Sequence, residues 1–261
     1  MTDGLALVGG GRMGGALLAG LLGAGWTPER LTVVEAVEAR RRELVEQFPG
    51  VGVAAEPPRG GGAVLAVKPG DVPTAAAALA AAGVERVVSI AAGVRLATLE
   101  GSLPGVPVVR AMPNTPALVG AGVTAIAAGT SAGEADLAWA EEVLGAVGRV
   151  VRVGEPLLDA VTGLSGSGPA YVFLVAEALV DAGVLVGLPR DLSTTLALQT
   201  ILGAARLLVE TGEGPEALRA AVTSPGCTTA AGLRVLESAG VRAAFLDAVS
   251  AATERSKQLG G

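Results

Sequence analysis

The chain of 261 residues contains no histidine and a single cysteine, Cys227. Without histidine there is no Ser-His-Asp triad, no His-liganded zinc and no imidazole to pass a proton. One cysteine closes no disulfide within the chain, which fits a reducing compartment. Aromatic residues are scarce as well: two Trp, one Tyr and three Phe. Yet 51% of the residues are apolar and 39 are glycine, so aliphatic side chains and close backbone approach must fill the core. A basic patch is missing too. Lys and Arg number 19 against 25 Asp and Glu, a formal charge of −6. The one basic run, Arg40-Arg41-Arg42, lies among Glu38, Glu43 and Glu46, as on a solvated helix face. No nucleic-acid partner is expected. The opening Met1-Thr2-Asp3-Gly4 lacks the basic region of a signal peptide, and the protein is expected in the cytoplasm. One apolar stretch, residues 169–188, has the length of a membrane helix. It carries Glu177 and Asp181 on one face and no basic residues at its start, so a buried helix of a soluble protein is expected, with no membrane partner.

What is present is alternation. Residues 4–8, 31–34, 63–67, 87–90, 108–111, 123–127 and 150–153 read as short β-rich strands. Helical segments at 13–25, 36–48, 72–82 and 132–144 fall between them. This order predicts an α/β domain over residues 1–154, a doubly wound, mostly parallel sheet with helices on both faces. After Glu155 the strands stop, and residues 157–164, 168–187, 190–211, 215–222, 228–238 and 241–258 read as helices, punctuated by Pro and Gly. An all-α domain over 155–261 is expected.

Gly9-Gly10-Gly11-Arg12-Met13-Gly14 follows the first strand and opens the first helix, and Glu35 ends the second strand. In such a unit Gly9 permits the tight turn, and Gly11 lets backbone approach a pyrophosphate. Gly14 lets helix and strand pack closely, and the helix N-terminus attracts phosphate. A dinucleotide site with Gly9, Gly11, Arg12, Met13, Gly14 and Glu35 is expected. Ala66, Val67, Lys68 and Pro69 end one later strand and Ser89–Gly93, with Ala91, another; both should line the same crevice. Lys68 is expected to contribute backbone while its side chain turns to solvent. Met112-Pro113-Asn114-Thr115-Pro116 forms a stiff loop at a further strand end. Asn114 either offers its amide to the cofactor or satisfies local backbone, and both readings stand.

These motifs, with Arg110–Pro116, Thr162-Gly-Leu-Ser-Gly-Ser-Gly-Pro-Ala-Tyr171 and Val222-Thr-Ser-Pro-Gly-Cys-Thr-Thr229, resemble the pyrroline-5-carboxylate reductases in order and over essentially the whole chain. The two C-terminal motifs are the specific ones. The resemblance implies a Rossmann-type domain, a helical dimerisation domain and the last step of proline biosynthesis, hydride transfer from NADPH or NADH to 1-pyrroline-5-carboxylate. It also implies higher assembly from dimers, such as rings; the helices at 168–187 and 190–211, apolar nearly all round and too much for one protomer to bury, predict an obligate homodimer. The resemblance places the substrate on the loop carrying Ser224, Thr228 and Thr229, where hydroxyls and free N–H groups at a helix N-terminus form an anion site. Glu155 stands where the family has an acid near the substrate. Ser224, Thr229 and Glu155 are thus the candidate catalytic residues; plain helix capping and a surface glutamate are the alternatives. Cys227 replaces a glycine usual in the family, which would strain the loop by about 1–2 kcal/mol if that position needs φ > 0. Glu35 favours a ribose 2′-hydroxyl over a 2′-phosphate, whereas Arg40 or Arg41 would favour the phosphate, so both cofactors are expected to work.

The missing acids point the same way. Reducing a ketone makes an alkoxide that needs a proton. The helical half has no His, one Tyr (Tyr171) and one Lys (Lys257, near its end). A cyclic imine is protonated by solvent before it arrives, so positioning and electrostatics suffice. Two rivals remain: a hydroxyacid or carbonyl dehydrogenase using Tyr171 or Lys68, and a non-catalytic dinucleotide-binding protein.

Overall fold

Eight strands build one sheet in the computed structural model, which describes residues 4–260. They are β1 (Leu5–Val8), β2 (Leu31–Val34), β3 (Gly52–Ala54), β4 (Gly62–Leu65), β5 (Arg86–Ser89), β6 (Val108–Met112), β7 (Gly122–Ala128) and β8 (Gly148–Arg152). Their order is 3-2-1-4-5-6-7-8. Neighbours run parallel except β6 and β7, which are antiparallel. Parallel neighbours require crossovers, supplied by α1 (Arg12–Gly23), α2 (Glu38–Gln47), α3 (Val72–Ala81) and α4 (Leu96–Ser102), while α5 (Glu134–Gly145) joins β7 to β8.

β1 shows how the layers form. Leu5 and Leu7 join a cluster with Leu17, Leu18 and Leu21 of α1 and Val143 of α5. Ala6 and Val8 join the opposite cluster with Ala76 and Leu79 of α3 and Leu99 of α4. Successive side chains of a strand point to opposite faces, so a strand apolar throughout must be covered on both. Each leucine fully buried this way contributes about 1.5–3 kcal/mol. Leu44 is the only buried residue of α2, whose solvent side is laced by ion pairs such as Arg42–Glu38 at i,i+4 spacing.

Two elements were not anticipated. β3 is a three-residue strand opening with glycine, too short for alternation to show. α4 has seven residues, and its apolar spacing is interrupted by Gly101.

The domain boundary also differs from the one expected at residue 154. The chain divides into one unit of residues 4–167 with 251–260, and a second of 168–250. Helicity begins after Gly154, but contacts decide membership. α6 (Leu158–Val161) buries Leu158 in the cluster containing Val108 and Ala125. The Ser256 hydroxyl donates to Asp159 at 2.6 Å, which ties the last turns of the chain to α6.

The second unit holds α7 (Gly168–Leu185), α8 (Arg190–Thr211), α9 (Pro215–Ala221), α10 (Thr228–Ser238) and the first half of α11 (Val241–Leu259). α7 and α8 pack closely at Gly183, where a Cβ would lie 2.1 Å from Ser193 Oγ; that hydroxyl donates to Val180 O at 2.7 Å. Otherwise the two helices present apolar side chains outward. Phe173 is 60% exposed, Leu174 66%, Leu202 51% and Val209 79%. This outward apolar surface is what helices apolar nearly all round were expected to leave on a single protomer. Both helices are long and apolar enough to cross a membrane by length and composition.

Candidate active site

Strand order reverses between β1 and β4, and at such a switch point the carboxyl ends of the strands leave a crevice. The glycine loop fills one side of it. Gly9 has φ 110°, and a Cβ there would lie 2.6 Å from Ala66 O. At Gly14 a Cβ would lie 2.1 Å from Gly9 O, whereas at Gly11 it would meet nothing within 4 Å. The first two glycines are thus required by the protein itself, and Gly11 leaves the backbone open to a ligand. Gly11 caps α1 without a side-chain bond, so the first N–H groups of the helix face the crevice as an anion site. Arg12 and Met13 form its first turn.

Two cavities meet at Ala66 and Val67. The larger, about 570 Å³, runs from Gly9 and Gly11 past Glu35, Lys68 and Glu56. The smaller, about 210 Å³, is lined by Met13, Ala91, Met112 and Pro113. Together they form a channel along the carboxyl ends of β2, β1, β4, β5 and β6, the shape a dinucleotide needs. Lys68 is exposed, and Pro69 starts the 3-10 turn Pro69–Asp71 at the rim.

Glu35 is held from two sides, accepting from Gly10 N at 3.2 Å and Val37 N at 3.0 Å. The arginines that were candidates for a 2′-phosphate are already bonded. Arg40 donates twice to Gly10 O, at 3.2 and 3.1 Å, and pairs with Glu43. Arg41 donates to Glu35 O and Ala36 O at 2.8 and 2.7 Å.

The side chain of Asn114 is spent on the protein. Its Oδ1 accepts from Val123 N at 2.9 Å and its Nδ2 donates to Ser165 O at 3.2 Å. Glu155 is also engaged: Oε1 accepts from Leu96 N at 2.7 Å and from Arg110 at 2.8 Å. Arg110 is only 7% exposed, and its place at the heart of the sheet unit was missed. The signal was available, an arginine inside the apolar run of β6, where a buried charge requires a partner.

In the helical unit, Gly226 takes φ 74° in the turn Ser224–Cys227, closed by Cys227 N donating to Ser224 O at 3.2 Å. Cys227 itself is extended at φ −73°, ψ 168°, and caps α10, its Sγ accepting from Ala230 N at 3.3 Å. The condition under which cysteine would be strained at this position does not arise, because the preceding glycine carries the positive φ. That amide bond, aided by Ser224 and Thr229, pulls the thiol down to about 7. Thr228 and Thr229 begin the helix.

Comparison with known proteins agrees with this geometry. Residues 155–259 match the family model for pyrroline-5-carboxylate reductase dimerisation, and residues 4–93 match that for NADP oxidoreductase, coenzyme F420-dependent. The pyrroline-5-carboxylate reductase of Synechocystis sp. is 48% identical, covering 100% of this chain and 99% of its own. A solved pyrroline-5-carboxylate reductase from Coxiella burnetii superposes with TM-score 0.94 at 36% identity, covering 100% of both chains. The Plasmodium falciparum pyrroline carboxylate reductase, solved with NADP bound, gives 0.85 at 29% identity, covering 99% and 98%. A crevice of this build at the switch point of a doubly wound sheet defines an NAD(P)H-dependent oxidoreductase of the Rossmann type. The helical unit narrows the class, and the chain belongs to the pyrroline-5-carboxylate reductase family.

Proposed function

We propose that the protein reduces 1-pyrroline-5-carboxylate to L-proline, the last step of proline biosynthesis. The nicotinamide cofactor supplies the hydride. The observation that carries this reading is a dinucleotide crevice whose lining residues include no histidine, tyrosine or cysteine. Lys68 is exposed at the crevice rim, and Lys257 is paired with Glu254 at 2.6 Å. An imine already protonated in solution needs no such donor; a ketone does. The test is NAD(P)H oxidation with 1-pyrroline-5-carboxylate beside a panel of keto acids. Turnover of keto acids alone would overturn the reading, as would cofactor binding without turnover of either.

Gly9, Gly11 and Gly14 shape the phosphate loop, and Ala66–Pro69 with Ala91 line the channel. The substrate carboxylate is held by the loop of Ser224, Thr228 and Thr229. Glu155, with Oε1 given to Arg110 and Leu96, supports the channel wall through β6. We further assign NADH as the better cofactor. Glu35, Glu56 and Asp71 line the larger cavity against one cation, Lys68, a balance that disfavours a 2′-phosphate.

Ser224→Ala and Thr229→Ala should each raise KM for the imine by about tenfold, the loss of one charge-assisted hydrogen bond. Cofactor affinity and subunit assembly should be unchanged. Steady-state kinetics showing no effect in either variant would reduce these hydroxyls to helix caps. Cys227 adds a pH dependence. As pH rises through about 7 the thiol becomes a thiolate, which repels a carboxylate bound at the same helix end. KM of the wild type should therefore climb with pH relative to that of Cys227→Ser, whose hydroxyl caps the helix but stays neutral; parallel profiles would refute this.

The dimerisation region makes the protein a homo-oligomer. We propose an obligate homodimer joined through α7 and α8, from which rings of dimers assemble, and a soluble protein of the cytoplasm.

A further inference from the structure

The smaller cavity has a wall whose position depends on one side chain. Met112 and Pro113 line it, and Asn114 follows directly. Asn114 precedes the 3-10 turn Thr115–Val119 but makes no capping bond to it. Its amide instead bridges partners 9 and 51 residues away, Val123 N and Ser165 O. One end reaches the start of β7. The other reaches Thr162–Gly166, a π-helical turn in which Ser167 N donates to Thr162 O at 2.9 Å.

The sequence explains why a carbonyl is available there. In an α-helix Ser165 O would accept from the N–H four residues on, but residue 169 is proline and has none. A π turn just before such a proline leaves a carbonyl for an outside donor, and π turns of this kind mark functional positions. The Asn114 amide occupies that place at 3.2 Å. The same turn presses on the cavity wall. A Cβ on Gly166 would lie 2.7 Å from Met112 Cε, so residue 166 can be nothing larger without displacing Met112.

We propose that Asn114 is a positioning residue for hydride transfer. It fixes Met112 and Pro113 against the π turn and so sets the wall of the smaller cavity, which receives the nicotinamide end of the cofactor. The proposal rests on the functional reading above. It assigns Asn114 no contact with substrate or cofactor.

The test uses full-length Asn114→Ala and Asn114→Asp with NADH and the imine. Asn114→Ala loses both bonds and should lower kcat by about tenfold or more. KM for NADH should move little, because the phosphate loop and Glu35 are untouched. Asn114→Asp keeps an acceptor for Val123 N but sets a carboxylate against Ser165 O. Its kcat relative to wild type should recover as pH falls and the acid regains a donor, while the same ratio for Asn114→Ala stays flat. A role in stability alone predicts lower melting temperatures with kcat per folded subunit unchanged, and that result overturns the proposal. So does a pH-independent ratio for Asn114→Asp. If Asn114→Ala does not fold, the Asp variant alone decides the matter. A wild type inactive on the imine would instead overturn the functional reading. The emission of bound NADH then tests the wall directly, since a displaced wall shifts it in folded variants and an intact one does not.

Discussion

Glu35→Ser should raise the ratio of kcat/KM for NADPH over that for NADH by about 10- to 100-fold. The wild-type carboxylate lies at the end of β2 and lines the larger cavity, where on the proposed reading it would accept hydrogen bonds from a ribose diol and repel a 2′-phosphate. Serine removes the repulsion and adds a hydroxyl donor. Arg41 keeps its bonds to the residue 35 and Ala36 carbonyls, which belong to the backbone and survive the substitution. Part of the effect will appear as weaker binding of both cofactors, because Glu35 also holds the Gly10 amide at 3.2 Å. Taking the ratio cancels that shared loss. Steady-state kinetics with each cofactor gives the answer, and an unchanged ratio would mean that Glu35 serves the loop alone.

The second large effect concerns assembly. Phe173→Lys combined with Leu202→Lys should weaken the dimer by at least about a thousandfold, since an isolated charge costs several kcal/mol to bury. In a twofold interface each substitution is felt twice. Both positions are more than half exposed in the single chain, so a protomer standing alone would tolerate the lysines without loss. Sedimentation at micromolar concentration should show monomer or aggregate in place of dimer, with activity lost. A fully active dimer would place the interface elsewhere.

The architecture was readable wherever periodicity was strong. β2, α8 and α10 lie where the pattern placed them, and the glycine loop fits its expected roles because steric demands at Gly9 and Gly14 are local. Glu155 and Asn114 show the limit. Glu155 was placed near the substrate by resemblance, and for Asn114 cofactor contact and local backbone stood about even. Their partners, Arg110 and Ser165, lie 45 and 51 residues away, and nothing in a linear pattern announces such pairing. Cys227 shows a different limit. The question of strain turned on which of two adjacent residues takes the positive φ, a matter settled by the turn and not by composition.

Residues 168–250 are flanked on both sides by chain belonging to the nucleotide-binding unit, and one of the two passages lies within the continuous helix α11. A protease that cuts once near Ser167 therefore does not release the helical unit. The fragment beginning at Gly168 still carries residues 251–260, with Ser256 bonded to Asp159. Separation needs a second cut inside an intact helix, where backbone is poorly presented to proteases. Nicked protein should run as two bands under denaturing conditions and still elute as one species under native ones.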